Sequence, residues 1–263
     1  MTYRPEELTF VICAYKESQY LEECIQSVLH QTIPVNVIMS TSTPNEYIKN
    51  LCEKYKIELF INNKPSDIAN DWNFAISKVS TKLVTIAHQD DVYKKNYAEM
   101  ILQKINTSEN PLIAFSDYSE LRNGEEITEN KLLNIKRKLL SVIKRHPKSI
   151  FFRRRSLSLG NAICCPAVSY VLENLPQPIF IKGMKSNIDW DAWERLSLLP
   201  GSFCYVDEVL MSHRIHSDST TSEVIQETGR QAEDLAMLKK FWPNWIANII
   251  EWKYKDSEKQ NNL

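Results

Sequence analysis

Residues 8–29, LTFVICAYKESQYLEECIQSVL, change hydrophobic rhythm part-way along. Leu8–Ala14 is a nearly continuous apolar run, the pattern of a strand buried on both faces of a sheet. Leu21, Cys24, Ile25, Val28 and Leu29 then recur at helical spacing and make one apolar stripe. Ser18 stands where a helix cap is expected. A doubly buried strand followed at once by an amphipathic helix is half of a βαβ unit, and it predicts parallel sheet.

The alternation continues downstream. Val35–Met39 reads as strand two and Ile57–Ile61 as strand three, with Ile48, Leu51, Cys52 and Tyr55 at helical spacing between them. Pro65-Ser66 opens a helix carrying Ile68, Trp72, Ala75, Ile76 and Val79. Leu83–Ala87 reads as strand four. Tyr97, Met100 and Ile101 mark another helix, and Leu112–Ser116 reads as strand five. Short connections between alternating elements predict a doubly wound, mostly parallel α/β sheet with helices on both faces. Ligands of such sheets bind at the carboxyl ends of the strands. Those ends carry Ala14-Tyr15-Lys16-Glu17, Ser40-Thr41-Ser42, Asn62-Asn63-Lys64 and His88-Gln89-Asp90-Asp91.

After Asp117 the rhythm changes. Asn123-Gly124 predicts a tight hairpin turn. Residues 131–155 hold ten basic residues and no acidic one, interleaved with leucines. The favoured reading is a solvated helical face; the alternative is attraction of an anionic partner, a phospholipid surface or a diphosphate-linked acceptor. Met237, Leu238, Phe241, Trp242, Trp245, Ile246, Ile249, Ile250 and Trp252 predict a helical pair packed on the domain. An interfacial membrane helix or a dimer contact is the sharper alternative.

Composition limits the function classes. Apolar residues make up 43% of the 263 and charged residues 25%, ordinary for a globular protein, and the net charge is −1. Nothing in that balance argues for a nucleic-acid partner. No stretch reaches the roughly 18 apolar residues of a membrane helix. Residues 1–9 carry no apolar run of a secretory signal. Six cysteines without a CxxC pair fit reduced thiols and a cytoplasmic setting, with Cys164-Cys165 read as small buried side chains. No feature sets an oligomeric state.

Three segments carry chemistry. Asp90-Asp91 directly follows a buried strand, where adjacent carboxylates need a counter-charge. A divalent cation shared with substrate phosphates would supply it; acids capping the next helix are the other reading. In Asn187-Ile188-Asp189-Trp190-Asp191, two acids open a helix and stabilise its start, and one of them is a candidate general base. His213-Arg214-Ile215-His216 could ligate a metal and hold a diphosphate, although a histidine in such a run is more often structural.

Taken in order, FVICAYKESQYLEECIQSVLHQT, MSTST, DWNFAI, HQDD, GNAICCP, DWDAWERL, Pro200-Gly201 and HRIHSDSTT resemble the family 2 glycosyltransferases of the GT-A fold. The resemblance covers roughly residues 8–222. It implies a transferase domain over 1–222, with a nucleotide-binding half (1–117) and an acceptor and catalytic half (118–222), and a helical C-terminal extension over 223–263. It implies an inverting, metal-dependent hexosyl transfer from a nucleotide-diphosphate sugar, UDP-sugar favoured, to a hydroxyl of a glycan or lipid-linked acceptor. The family's usual destination is an envelope polysaccharide or a glycan. Such an enzyme works in the cytoplasm, with peripheral contact at the inner face of the membrane as a variant.

The resemblance also assigns residues. Asp90 and Asp91 match the motif that coordinates Mn²⁺ or Mg²⁺ on the diphosphate, Asp90 touching the donor as well. His216 matches a late histidine that reaches the metal. Ala14, Tyr15, Glu17, Ser40, Asn73 and Arg214 fall at donor-binding positions. Asp189 matches the catalytic base, with Asp191 second. Three positions depart from the pattern. Ser40 replaces an aspartate that reads the base, His88 replaces the first acid of a longer acidic motif, and Trp72 replaces an arginine before Asn73. These departures keep open a non-catalytic sugar-nucleotide-binding or scaffold module. A nucleotidyltransferase would need an early glycine-rich phosphate loop, and no glycine precedes Gly124.

Overall fold

A computed structural model describes residues 2–216 and 229–261. β1 (Leu8–Ala14), β2 (Asn36–Thr41), β3 (Glu58–Ile61) and β4 (Leu83–His88) pair in parallel in the order β3-β2-β1-β4. Between them run α1 (Leu21–Leu29), α2 (Glu46–Tyr55) and α3 (Ile68–Ser77). The direction of winding reverses between β1 and β4, and that switch point opens a crevice at their carboxyl ends.

The second half extends the sheet differently. After β5 (Val92–Tyr93) and α4 (Tyr97–Asn106), the long β6 (Pro111–Arg122) turns through Asn123-Gly124 into β7 (Glu125–Ile127). Both turn residues have positive φ, 52° and 83°, as the expected hairpin requires. α5 (Lys131–Arg145) and α6 (Ile150–Leu157) lead to β8 (Val168–Val171), which inserts antiparallel between β4 and β6. α7 (Ile188–Leu196) precedes β9 (Ser202–Ile215), which lies parallel to β6 and carries β5 at the sheet's edge. The sheet is thus the expected α/β, GT-A-like one: parallel through its first four strands and mixed beyond.

Alternation along β1 builds the core on both faces. Phe10 and Ile12 join Leu21 and Ile25 of α1, Ile48 of α2 and Ile101 of α4. Val11 points the other way, toward Ala75 of α3, Leu157 of α6 and Trp193 of α7. Removing a side chain such as Phe10, which is fully buried, costs about 3–5 kcal/mol.

Three local expectations change. Ser18 does not cap α1: the cap position is Tyr20, and the Ser18 hydroxyl accepts from the Tyr20 amide at 3.3 Å. Strand five runs six residues further than its apolar stretch, to Arg122, because β9 pairs along its polar end. The basic segment is not simply a solvated face. Arg137 pairs with Asp117, Lys144 with Asp207, Lys148 with Glu109 and Arg154 with Glu194. Arg153 is fully buried and donates to the carbonyls of Leu199 and Gly201.

The expected C-terminal helical pair is α8 (Gly229–Lys239) and α9 (Asn244–Asn261). Met237, Leu238 and Ala247 pack on Trp190 of α7. Trp245, Ile249 and Trp252 form an exposed stripe on α9. Among the described residues no helix is long and apolar enough to cross a membrane.

Candidate active site

The carboxyl ends of β1 and β4 open into a cleft of about 870 Å³, within the range of small-molecule sites. Ala14, Tyr15 and Glu17 line one wall. Their loop is held from two sides. Gln89 accepts from the Tyr15 amide at 2.9 Å and donates to its carbonyl at 3.0 Å. Lys16, at a left-handed φ of 54°, donates its amide to the Thr43 hydroxyl. Beyond β2, Ser40 and Asp71 line the same cleft. The Asp71 carboxylate accepts from Asn62 at 2.7 Å, Ser42 at 2.8 Å and Ser66 at 3.0 Å.

The paired acids after β4 differ in environment. Asp90 faces the cleft, and its Oδ2 lies 3.0 Å from His216 Nε2. Asp91 is fully buried behind it. Asp91 Oδ1 accepts from the Arg214 amide at 2.8 Å and lies 3.0 Å from His213 Nδ1. Its Oδ2 has no hydrogen-bond partner. Burial works to strip His213 of its proton, but Asp91 outweighs it and raises the imidazole above its ordinary value. His88 is stacked on Trp72, and burial pushes it down to about 4 against the pull of Asp90.

Asp189, in the first turn of α7, lines the same cleft. Its Oδ2 accepts from Asn161 at 2.6 Å and its Oδ1 from the Trp190 amide at 2.7 Å. Burial raises its pKa above the ordinary aspartate value, the two hydrogen bonds and Lys136 opposing only in part. Such a carboxylate is a stronger base than an exposed one. The segment before it is fixed by Glu233 of α8, whose carboxylate accepts from the amides of Lys185, Ser186 and Asn187. An anion there also stabilises the start of α7.

The donor set fits a divalent cation that brings other ligands with it. Among the described residues no cluster of three or more His, Cys, Asp or Glu side chains could hold a metal by itself. Asp90 Oδ2 and His216 Nε2, 3.0 Å from one another, would supply two donors. Magnesium-type sites commonly use one or two carboxylates and take the rest from substrate phosphates and water.

Residues 9–170 match the model of the family described as "Glycosyl transferase family 2". The chain belongs to that family. This family 2 glycosyltransferase is 24% identical over 249 residues to an uncharacterised glycosyltransferase of Haemophilus influenzae, covering 87% of the chain and 71% of that protein. It is 21% identical over 120 residues to the glycosyltransferase GlyG of Streptococcus pneumoniae, covering 43% of the chain and 40% of that protein. Its fold is that of Staphylococcus aureus TarS 1-349 in complex with UDP-GlcNAc, with a TM-score of 0.63 and 12% identity, over 93% of the chain and 70% of TarS 1-349. It is likewise that of the Pyrobaculum calidifontis mannosyltransferase PcManGT in complex with GDP-Man and Mn²⁺, with a TM-score of 0.61 and 12% identity, over 95% and 70%.

Within this glycosyltransferase, Ala14, Tyr15, Glu17, Ser40, Asp90, Asp189 and His216 all line one cleft. Four expected site residues lie outside it. Asn73 is used at both ends: its amide donates to the Phe180 carbonyl at 2.7 Å and its oxygen accepts from the Phe180 amide. Arg214 is buried, donating to the Asp90 carbonyl and to Glu23. Asp91 is the buried buttress described above. Asp191 is bound by Arg195 at 2.9 Å and by Lys240. Burial works against its charge, yet those two partners hold its pKa below the ordinary value. Residues 217–221 of the late motif lie outside the described residues.

Sequence reasoning missed Asp71, Asn161 and Lys136. Asn161 was within reach, in the quoted GNAICCP. Lys136 was hidden among ten basic residues, and only tertiary structure shows it turned into the cleft.

Proposed function

We propose that this glycosyltransferase moves a hexosyl group from a nucleotide-diphosphate sugar, UDP-sugar favoured, to a hydroxyl of a glycan or lipid-linked acceptor, with inversion. The observation that carries the reading is two carboxylates in different surroundings that line one cleft. Asp90 stands beside His216 at the switch point, and Asp189 is desolvated by burial. One is suited to a cation, the other to a proton.

The loop Ala14–Glu17 and Ser40 receive the nucleoside end of the donor. Asn161 and the Trp190 amide hold the Asp189 carboxylate while it takes the proton of the attacking hydroxyl. Attack and departure then occur on opposite faces of the anomeric carbon, so no covalent enzyme intermediate forms. Mn²⁺ or Mg²⁺ held by Asp90 and His216 would stabilise the charge of the leaving diphosphate. UDP-GlcNAc and GDP-Man, present with the two structural neighbours, support a nucleotide-sugar donor. The exposed Trp245, Ile249 and Trp252 stripe supports peripheral contact with a membrane face, where a lipid-linked acceptor would lie.

A thermal-shift screen tests this. Nucleoside diphosphates and nucleotide sugars are each added with Mn²⁺, Mg²⁺ or EDTA. Ligands that bind the native state raise its melting temperature. A metal-dependent rise with one nucleotide class is the expected result. No rise with any of them would sink the donor assignment.

A further inference from the structure

Among the cationic side chains that line the cleft, Lys136 and Arg230 have no part in the reaction above. Lys136 reaches in from α5, its Nζ donating to the Tyr118 hydroxyl at 2.7 Å. Its electrostatic neighbours include Asp189 and Arg230, and it also acts on His213 beside Asp91. Arg230, from α8, lines the same cleft. Its Nε is buried without a hydrogen-bond partner, and the nearest carboxylate oxygen, on Asp234, is 3.9 Å away.

Four cations of the basic segment, Arg137, Lys144, Lys148 and Arg154, pair with carboxylates of other elements. Lys136 has only a phenol, and among the described residues no carboxylate comes within ion-pair distance of it. Burial lowers its pKa, so its charge is held at a cost. An ammonium and a guanidinium that both line the cleft are the two standard donors to an anion. In the reading above the donor's diphosphate goes to a cation held by Asp90 and His216. The anion therefore belongs with the acceptor.

We propose that Lys136 and Arg230 bind an anionic group of the acceptor, a phosphate or a carboxylate, close to the hydroxyl that receives the sugar. This rests on the reading of the cleft given above, with Asp189 as the acceptor-side base. The acceptor would then be a phosphorylated or acidic glycan or polyol, not a neutral one.

The test uses the full chain loaded with UDP and Mn²⁺, and measures probe binding by saturation-transfer NMR and calorimetry. The probes are glycerol 3-phosphate against glycerol, and glucuronate against glucose. One anion should bind in clear preference to its neutral counterpart, and which one identifies the group. Lys136→Met should weaken that probe about tenfold, as expected for one charge-assisted contact, while Lys136→Arg retains it. UDP affinity should be unchanged in both variants. Equal binding of charged and neutral probes would overturn the proposal. So would a loss of UDP affinity in Lys136→Met, which would move the lysine to the donor. So would unchanged probe binding with a shifted pH–rate profile, which would make it a tuner of Asp189. If the wild-type chain fails to bind any nucleoside diphosphate, the donor reading has failed, a separate outcome.

Discussion

The imidazole of His88 stacks on the indole of Trp72, ring centroids 5.2 Å apart and planes 20° from parallel. These are two of the three positions where the sequence departs from the family pattern, an arginine expected at one and an acid at the other. Their contact predicts that the two positions are coupled. Burial keeps His88 neutral, which suits a stacked pair. His88→Asp should cost about 1–3 kcal/mol, the penalty for a buried polar group without its partner. Adding Trp72→Arg should recover at least half of it. Urea midpoints of the wild type, both single variants and the double variant form the cycle. Additive losses would show that the positions are independent.

Asp189→Asn should lower turnover by about 10²–10⁴-fold, the contribution of a positioned base, with donor affinity unchanged. Donor binding and single-turnover rates measured separately check both halves. A near-normal rate would remove Asp189 from the chemistry.

The pH dependence follows from the same carboxylate. Transfer needs Asp189 ionised, so activity is present above its folded pKa and lost as pH falls through it. Burial raises that pKa, so the acid limb of kcat should lie above the roughly 3.9 of a free aspartate. Asn161→Ala removes a hydrogen bond to the charged form and should move the limb higher still. A limb that stays in place would dissociate Asn161 from the base.

Asp191→Asn should leave the rate per folded molecule intact but weaken the fold by about 2–3 kcal/mol, because Lys240 and Arg195 lose their shared acceptor. The pKa of Asp191 is held down in the folded state. Its stabilisation is therefore present above the unfolded value and fades as pH drops through the folded one. The difference in melting temperature between wild type and variant should narrow toward pH 3; a constant difference would contradict the linkage.

Asp90 and Asp91 should separate cleanly. Asp90→Ala should abolish the metal-dependent part of nucleotide-induced stabilisation while leaving the unliganded melting temperature near wild type. Asp91→Ala should lower that temperature first, because the Arg214 amide and His213 lose their acceptor. The reverse pattern would return the cation to Asp91.

The first half of the fold was legible because its signals are local. An apolar run such as Leu8–Ala14 and a stripe such as Leu21–Leu29 each announce one element. The pairing of β6 with β9 was not, since Pro111 meets Ser202 across about ninety residues and the partners are as polar as Glu120 and His213. In the site, the ordered motifs placed the right loops at the right strand ends. They did not show which side chains were free to act. Asn73 and Arg214 sit where a ligand-binding residue would, yet both are held by other parts of the chain, and Asp91 is buried with one oxygen bonded. That competition is settled by packing, which spacing does not record.

The match to the family stops at residue 170, while Asp189 and the Glu233 and Lys240 contacts that seat its helix come later. α7 is clasped to the C-terminal part of the chain at its N-terminal end, by Glu233 on residues 185–187 and by Lys240 on Asp191. The cleft therefore draws on both stretches, since Lys136 and Asn161 precede residue 170 while Asp189 and His216 follow it. A chimera that exchanged residues 171–263 as one block would carry over its own base together with the frame that aims it; one cut between α7 and α8 would inherit a helix with nothing to hold it.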